Sequence, residues 1–333
     1  MGRSRESGLT PPGGASRNIT NLGSGVRLRA LRPSAVALMV TLLPLLGCRS
    51  AALSFTANAV AQSGTTYGTD DDPELVRDAV PFGLKTMEGL LQEKPRHEGL
   101  LTALTSSFTQ YSYAFIQGDA DRADLEGHLD AARAGRERAK RLFLRARDYG
   151  LRGLAVRHAH MDARLRAGGQ DAAGALAEAD GKDDVPLLYW TASAWTLAVV
   201  NGKGDMALVA QLPTAVAMME RALALNEAWD EGAIHEFFVS YDATRSAAEG
   251  GGAERARQHL ERALALSHGH KLGVQVAYAE GVLVQQQDRA GFTKLLQQVL
   301  AADPGAEPRF RLANILAQRR ARLLLTHADD LFV

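Results

Sequence analysis

Two hydrophobic patterns divide this chain. From Ala35 to Leu46 runs a block of 12 mostly apolar residues without a period. Six arginines (Arg3, Arg5, Arg17, Arg27, Arg29, Arg32) and one acid, Glu6, precede it. A basic segment, a short apolar run and a small residue at its end make a secretory signal. The run is too short to cross a bilayer comfortably as a helix. From Asp72 onward the apolar residues recur at helical spacing instead. Leu84, Met87, Leu90 and Leu91 share a face, as do Leu260, Ala263 and Leu264, and Leu295, Leu296, Val299 and Leu300. Alternating β-branched runs are missing. The breaks are short and polar, at Gly168-Gly169 and over 180–184, 202–205, 250–252 and 303–308. The pattern predicts an all-α body of about ten or eleven helices. Asp72-Pro73-Glu74 is a start signal, with a capping side chain, a proline suited to the first turn and an acid at the positive end of the helix dipole. Pro81 is expected to kink this first helix or reset its start.

The second half contains a repeat. Glu220-Arg221-Ala222-Leu223-Ala224-Leu225 recurs letter for letter as Glu261-Arg262-Ala263-Leu264-Ala265-Leu266. Each copy ends a helix, turns and enters another, at Asp230-Glu231-Gly232-Ala233 and at Lys271-Leu272-Gly273-Val274. Weaker copies lie at Val299–Pro304 and Leu90–Pro95. A helix, a short turn and a helix opening on a small residue have the texture of tetratricopeptide repeats. Such units bury their apolar faces only by stacking. The expected architecture is therefore an irregular α-solenoid of helical hairpins.

Charge and cysteine usage narrow the class. The whole chain has no formal net charge. Residues after the leader 1–47 carry 32 basic against 37 acidic groups, so no global basic bias points to nucleic acid. The one cysteine, Cys48, directly follows Leu45-Leu46-Gly47. That placement looks like a bacterial lipobox, in which the thiol is acylated and becomes the new N-terminus. The expected division is a signal over 1–47, a tether over 48–71 rich in Ala, Ser, Thr and Gly, and a helical domain over 72–333. Arg49 behind the anchor lacks the acid that retains some lipoproteins at the inner membrane, which tilts the expectation towards the outer membrane.

The candidate chemistry is sparse. Tyr189, Trp190 and Trp195 cluster in a chain with only three tryptophans, the third being Trp229. They suit an aromatic wall of a ligand cleft or, equally, a helix-packing core. His235 and Glu236 are placed to offer polar contacts at a cleft mouth or to form a satisfied, half-buried pair. Val239 stands where a zinc-protease helix needs its second histidine, so that motif is absent. His158/His160 and His268/His270 are spaced for solvated pairs near turns. No Gly-rich phosphate loop and no nucleophile elbow follows Cys48. The expectation is a protein without catalytic residues, metal or cofactor. Between Arg133 and Arg157 lie nine basic residues and two acids. Arg138, Arg141, Arg145 and Arg152 are the candidate basic docking face, for an acidic partner or anionic lipid.

Asp183-Asp184-Val185-Pro186-Leu187-Leu188-Tyr189-Trp190-Thr191-Ala192-Ser193-Ala194-Trp195 resembles the signature of the TRAP transporter T-component family. Segments at 72–79, 110–115, 232–237 and 312–318 fit the same family in the same order. The resemblance implies a lipid-anchored periplasmic protein of tetratricopeptide-like helices. It would serve a tripartite ATP-independent periplasmic (TRAP) transporter, with a solute-binding protein as partner and a cleft for an apolar organic ligand. It also implies self-association, a trimer among the possible states. The alternative is an envelope scaffold for protein–protein contacts unrelated to transport.

Overall fold

A computed structural model describes residues 64–333. Cys48 and the leader lie outside the described residues. Among those described there is no strand, and helices account for nearly the whole length. The all-α expectation holds. α1 spans Pro73–Glu93, α2 Glu98–Tyr111 and α3 Gly118–Leu125. The long α4 spans Leu129–Arg157, followed by α5 (Met161–Ala167) and α6 (Gly169–Glu178). α7 is Val185–Asn201, α8 Leu212–Leu225, α9 Ala233–Ala243 and α10 Ala253–Leu266. α11 (Gly273–Tyr278), α12 (Arg289–Ala301) and α13 (Arg311–Thr326) complete the set, with four-residue helical turns at Met206–Val209 and Ala328–Leu331.

These thirteen helices exceed the ten or eleven expected. The excess comes from local backbone events. His160 adopts a left-handed conformation at φ 61 and separates α5 from α4. A π turn over Ser112–Gln117 divides α2 from α3 without breaking the rod, and a second π turn, Ala279–Leu283, extends α11. Pro81 causes no restart, since α1 runs through it. The Asp72 cap forms as expected, accepting from the amides of Glu74 and Leu75 at 3.0 and 3.1 Å. The end of the expected tether is structured. Gly64–Thr69 is a 3-10 helix packed against the turn Pro308–Phe310, and Arg311 donates to the Thr69 carbonyl at 3.4 Å.

The largest core gathers around α4, which lies between α2 and α7. Both neighbours run antiparallel to it. Gly150 and Gly153 of α4 face Thr105 and Leu101 of α2, and Thr191 and Leu187 of α7. The crossing is close because Gly150 has no side chain. A Cβ there would stand 2.0 Å from the Thr191 hydroxyl and 3.0 Å from the Thr105 methyl. Phe143, Leu151, Leu154 and Trp195 are sealed in this layer.

The repeated hexapeptide ends α8 at Leu225 and α10 at Leu266, at matching positions. Three long-range contacts recur at nearly constant separation in sequence. Lys271 donates to Asp230, 41 residues back; the Leu272 amide donates to Asn314, 42 residues on; Arg320 pairs with Glu280 across 40.

Gly150→Ala is expected to lower the unfolding free energy by about 1–3 kcal/mol, because the added methyl must push α4 from α7. Urea unfolding of the wild type and variant measures it. A change near zero would mean that the crossing is not tight.

Candidate functional site

The signature segment acts first as an anchor for α7. The buried Asp184 carboxylate accepts from Arg157 and His158 at 3.0 Å each and from the Gly181 amide at 3.3 Å. Val185 and Pro186 then start α7 with its orientation set. Helical geometry sends its aromatics in different directions. Trp195 is fully buried, donates to Gln211 Oε1 at 3.0 Å and lies under the Arg147 guanidinium at 5.1 Å. It belongs to the core and not to a cleft wall. Tyr189 and Trp190 are half-buried on the other side and meet Trp229, with Tyr189 centroids 4.9 and 4.5 Å from the two indoles.

Around Tyr189 the chain forms a recess that sequence reasoning missed. Tyr113 exposes 56% of its surface, yet its hydroxyl is pushed up to about 12. Desolvation is the main cause, then the charge of Glu280; Arg320 pulls the other way, and Asp121 and Glu236 add to the rise. Its exposed side chain thus borders charged groups of four other elements. The Tyr189 hydroxyl is likewise raised by desolvation, then by Glu236 and Asp230, and it also feels Tyr113. The two tyrosines therefore lie within electrostatic reach of each other, in a neighbourhood to which the first π turn, α3, α7, α9, the second π turn and α13 contribute charged or aromatic groups. Burial also raises Asp121 and Glu236, against the pull of Arg320 and Lys271 respectively. Both π turns contribute, through Tyr113 and Glu280, as such insertions often do at functional sites. On the far side of the trio, Trp229 lines a groove of about 650 Å³ with Thr102, Ser106, Pro186 and Leu187.

Trp229 is presented by a strained turn. Asp230, Glu231 and Gly232 all have positive φ, at 43, 50 and 85. A non-glycine residue in this region costs roughly 1–2 kcal/mol. Lys271, only 9% exposed, holds the turn. Its ammonium donates to the Asp230 carbonyl at 2.6 Å and carboxylate at 3.0 Å, stands 3.0 Å from Glu236 Oε1 and lies 5.0 Å from the Phe310 ring centroid. Arg309 pairs with Glu231 from the other flank. The letters Trp-Asp-Glu-Gly carry no clear signal of this conformation.

His235 and Glu236 part company. Glu236 faces the recess, whereas His235 is buried against α10. His235 Nδ1 lies 2.7 Å from His259 Nδ1, and its Nε2 lies 3.2 Å from Glu227. The Glu227 carboxylate favours Nε2–H on His235, so His259 donates through Nδ1. His259 Nε2 then faces Asp242 at 3.5 Å, a carboxylate that also accepts from Arg255 at 3.0 Å. Desolvation, His235 and Arg255 lower His259 to about 4. The pair is a structural unit between α9 and α10, with His259 Nε2 an acceptor beside Asp242, whose carboxyl burial raises; it is not part of the cleft mouth.

Most of the basic run on α4 is neutralised. Arg136 pairs with Asp124, Arg147 with Asp148, and Arg157 with Glu98 and Asp184. Arg145 pairs with Glu88 and covers the Phe108 ring at 5.1 Å. Arg138, Arg141 and Arg152 are exposed, and among the described residues no carboxylate pairs with them. Arg152 donates to the Pro95 carbonyl at 3.1 Å. Among the described residues no group of three or more metal-capable side chains occurs.

Two outcomes follow from these contacts. His259 sits near 4 when folded against an ordinary value of about 6.5 when unfolded. Between these values the unfolded chain binds more protons, so stability rises with pH through this window. Thermal unfolding of His259→Gln from pH 4 to 7 is expected to show a flatter profile than wild type; parallel profiles would refute the assignment. Lys271→Met should release the strained turn, lower stability by about 1–3 kcal/mol and shift Trp229 emission in a Trp190→Phe, Trp195→Phe background. An unchanged spectrum would show that Lys271 does not hold the turn.

Comparison with known sequences agrees with this geometry. An uncharacterized protein of Treponema pallidum (strain Nichols) is 30% identical over 267 residues, covering 80% of this chain and 82% of its own length. The family model described as TRAP transporter T-component matches residues 69–332, which includes α1 to α13, both π turns and the recess. The chain belongs to the TRAP transporter T-component family, an accessory component of TRAP-type transport.

Proposed function

We propose that this protein is a lipid-anchored periplasmic accessory of a TRAP uptake system that docks the solute-binding protein and holds an organic ligand in the recess. What supports the ligand reading is the neighbourhood that Tyr113 and Tyr189 share. It offers aromatic surface from Tyr113 and Tyr189, and hydroxyls and charges from several elements. Such a mixture of apolar wall and few polar groups is what small-molecule sites use. The ligand is a mainly apolar organic molecule with a polar end. Its aromatic contacts would be Tyr113 and Tyr189, and its polar end would meet Glu236 or Arg320.

The stacking of tetratricopeptide-like hairpins is part of the same reading, supported by the contacts repeated at 40 to 42 residues. Hairpin stacks commonly bind other polypeptides, which supports the solute-binding protein as partner. Lipidation of Cys48 explains an apolar run that stops at a lone cysteine.

Crosslinking in cells followed by purification should recover a TRAP solute-binding protein; recovery of envelope-assembly proteins instead would favour the scaffold. Extraction and mass spectrometry of the purified protein should yield an organic ligand. Tyr113→Ala combined with Tyr189→Ala should lose it with the fold intact. Retention of the ligand by that variant would place it elsewhere.

A further inference from the structure

We propose that the arginine stripe of α4 is the face this protein lays on an anionic lipid leaflet. The proposal rests on the reading that Cys48 carries lipid. At 3.6 residues per turn, Arg138, Arg141, Arg145 and Arg152 fall within about 60° of one another around α4, over roughly 21 Å of its length. Three of them have no carboxylate partner among the described residues, and the fourth keeps its side chain 44% exposed beside Glu88. Lys85, 69% exposed and also bonded to Glu88, continues the row onto α1. Phe82, 79% exposed, lies one turn before it. The shallow groove at the centre, about 390 Å³, has one acid, Asp148, already engaged by Arg147 and Arg166.

The make-up of the stripe favours lipid over an acidic protein. Protein interfaces centre on a desolvated apolar or aromatic patch. Here the apolar groups lining the groove among the arginines, Leu144 and Tyr149, are half-buried, and the one large exposed aromatic nearby among the described residues, Phe82, stands at the end of the row. A leaflet of anionic headgroups needs only charge, and each basic residue near it changes affinity about fivefold. The overall negative charge of the chain after Cys48 makes the stripe a local feature and not a general one.

The test is arginine footprinting with phenylglyoxal. The full lipoprotein is reconstituted in vesicles of phosphatidylcholine alone or mixed with phosphatidylglycerol. Arg138, Arg141 and Arg152 should react several-fold more slowly on the anionic vesicles, while Arg257 and Arg262 of α10 react equally on both. High salt should remove the difference, because screening shortens the reach of the headgroup field. In the R138Q/R141Q/R152Q protein, Arg145 should lose its protection. Equal rates on both vesicles overturn the proposal. So does protection that appears only on adding the solute-binding protein, which would make the stripe a protein-docking face. The mass of the N-terminal peptide reads the anchor separately. If Cys48 carries no lipid, the anchoring reading fails, and the same footprint on protein mixed with vesicles then decides the stripe alone.

Discussion

Where α2, α4 and α7 cross, Gly150 brings three backbones closer than any side chain would allow, and much of the molecule follows from that approach. With Thr191 seated on Gly150 and Leu187 on Gly153, the rotation of α7 about its axis is fixed. Residues a full turn from Thr191, such as Leu187 and Trp195, then enter the core. Tyr189 and Ser193 come out on the opposite side, where they face the recess. Asp184 reinforces the arrangement by tying the start of α7 to the end of α4 through Arg157 and His158. The signature of the family is thus first a device for setting one helix, and through it the aromatic surface.

A second constraint works between helices of the second half. The bonds from Lys271 to Asp230, from the Leu272 amide to Asn314 and from Arg320 to Glu280 each join residues 40 to 42 positions apart. They are polar contacts, partly shielded, at the rims of apolar layers. Lys271 does more than link, because its ammonium also satisfies a backbone carbonyl within a left-handed turn. Strain of this kind persists only where surrounding contacts over-determine it. Here those contacts come from Lys271, Arg309 and Phe310, and the strained residues stand beside Trp229.

The charges separate into two populations. Among those around the recess, burial sets the direction for Asp121 and Glu236, whereas carboxylate partners set it for Arg320 and Lys271. Asp121 and Glu236 are raised although bases stand near them. Those on the outer side of α4 are solvated, and their influence depends on ionic strength. The buried His235–His259 pair belongs to neither, and it joins α9 to α10 with both rings neutral near pH 7.

Local chemistry in the sequence determined the helical class, the Asp72 cap, the matching ends at Leu225 and Leu266, and the family signature. Each depends on neighbours along the chain, through helical periodicity, capping hydrogen bonds and turn residues. The tertiary structure alone decided which side chains meet. Consecutive residues on a helix point about 100° apart, so His235 and Glu236 reach different environments although the letters present them as a pair. Trp195 and Tyr189 part for the same reason. The two π turns, the left-handed turn at Trp229–Gly232 and the docking of Gly64–Thr69 arise from long-range packing, where partners tens to hundreds of residues away repay a local cost. The recess is the plainest case, because a concavity is a relation among several elements and no short stretch of sequence contains it.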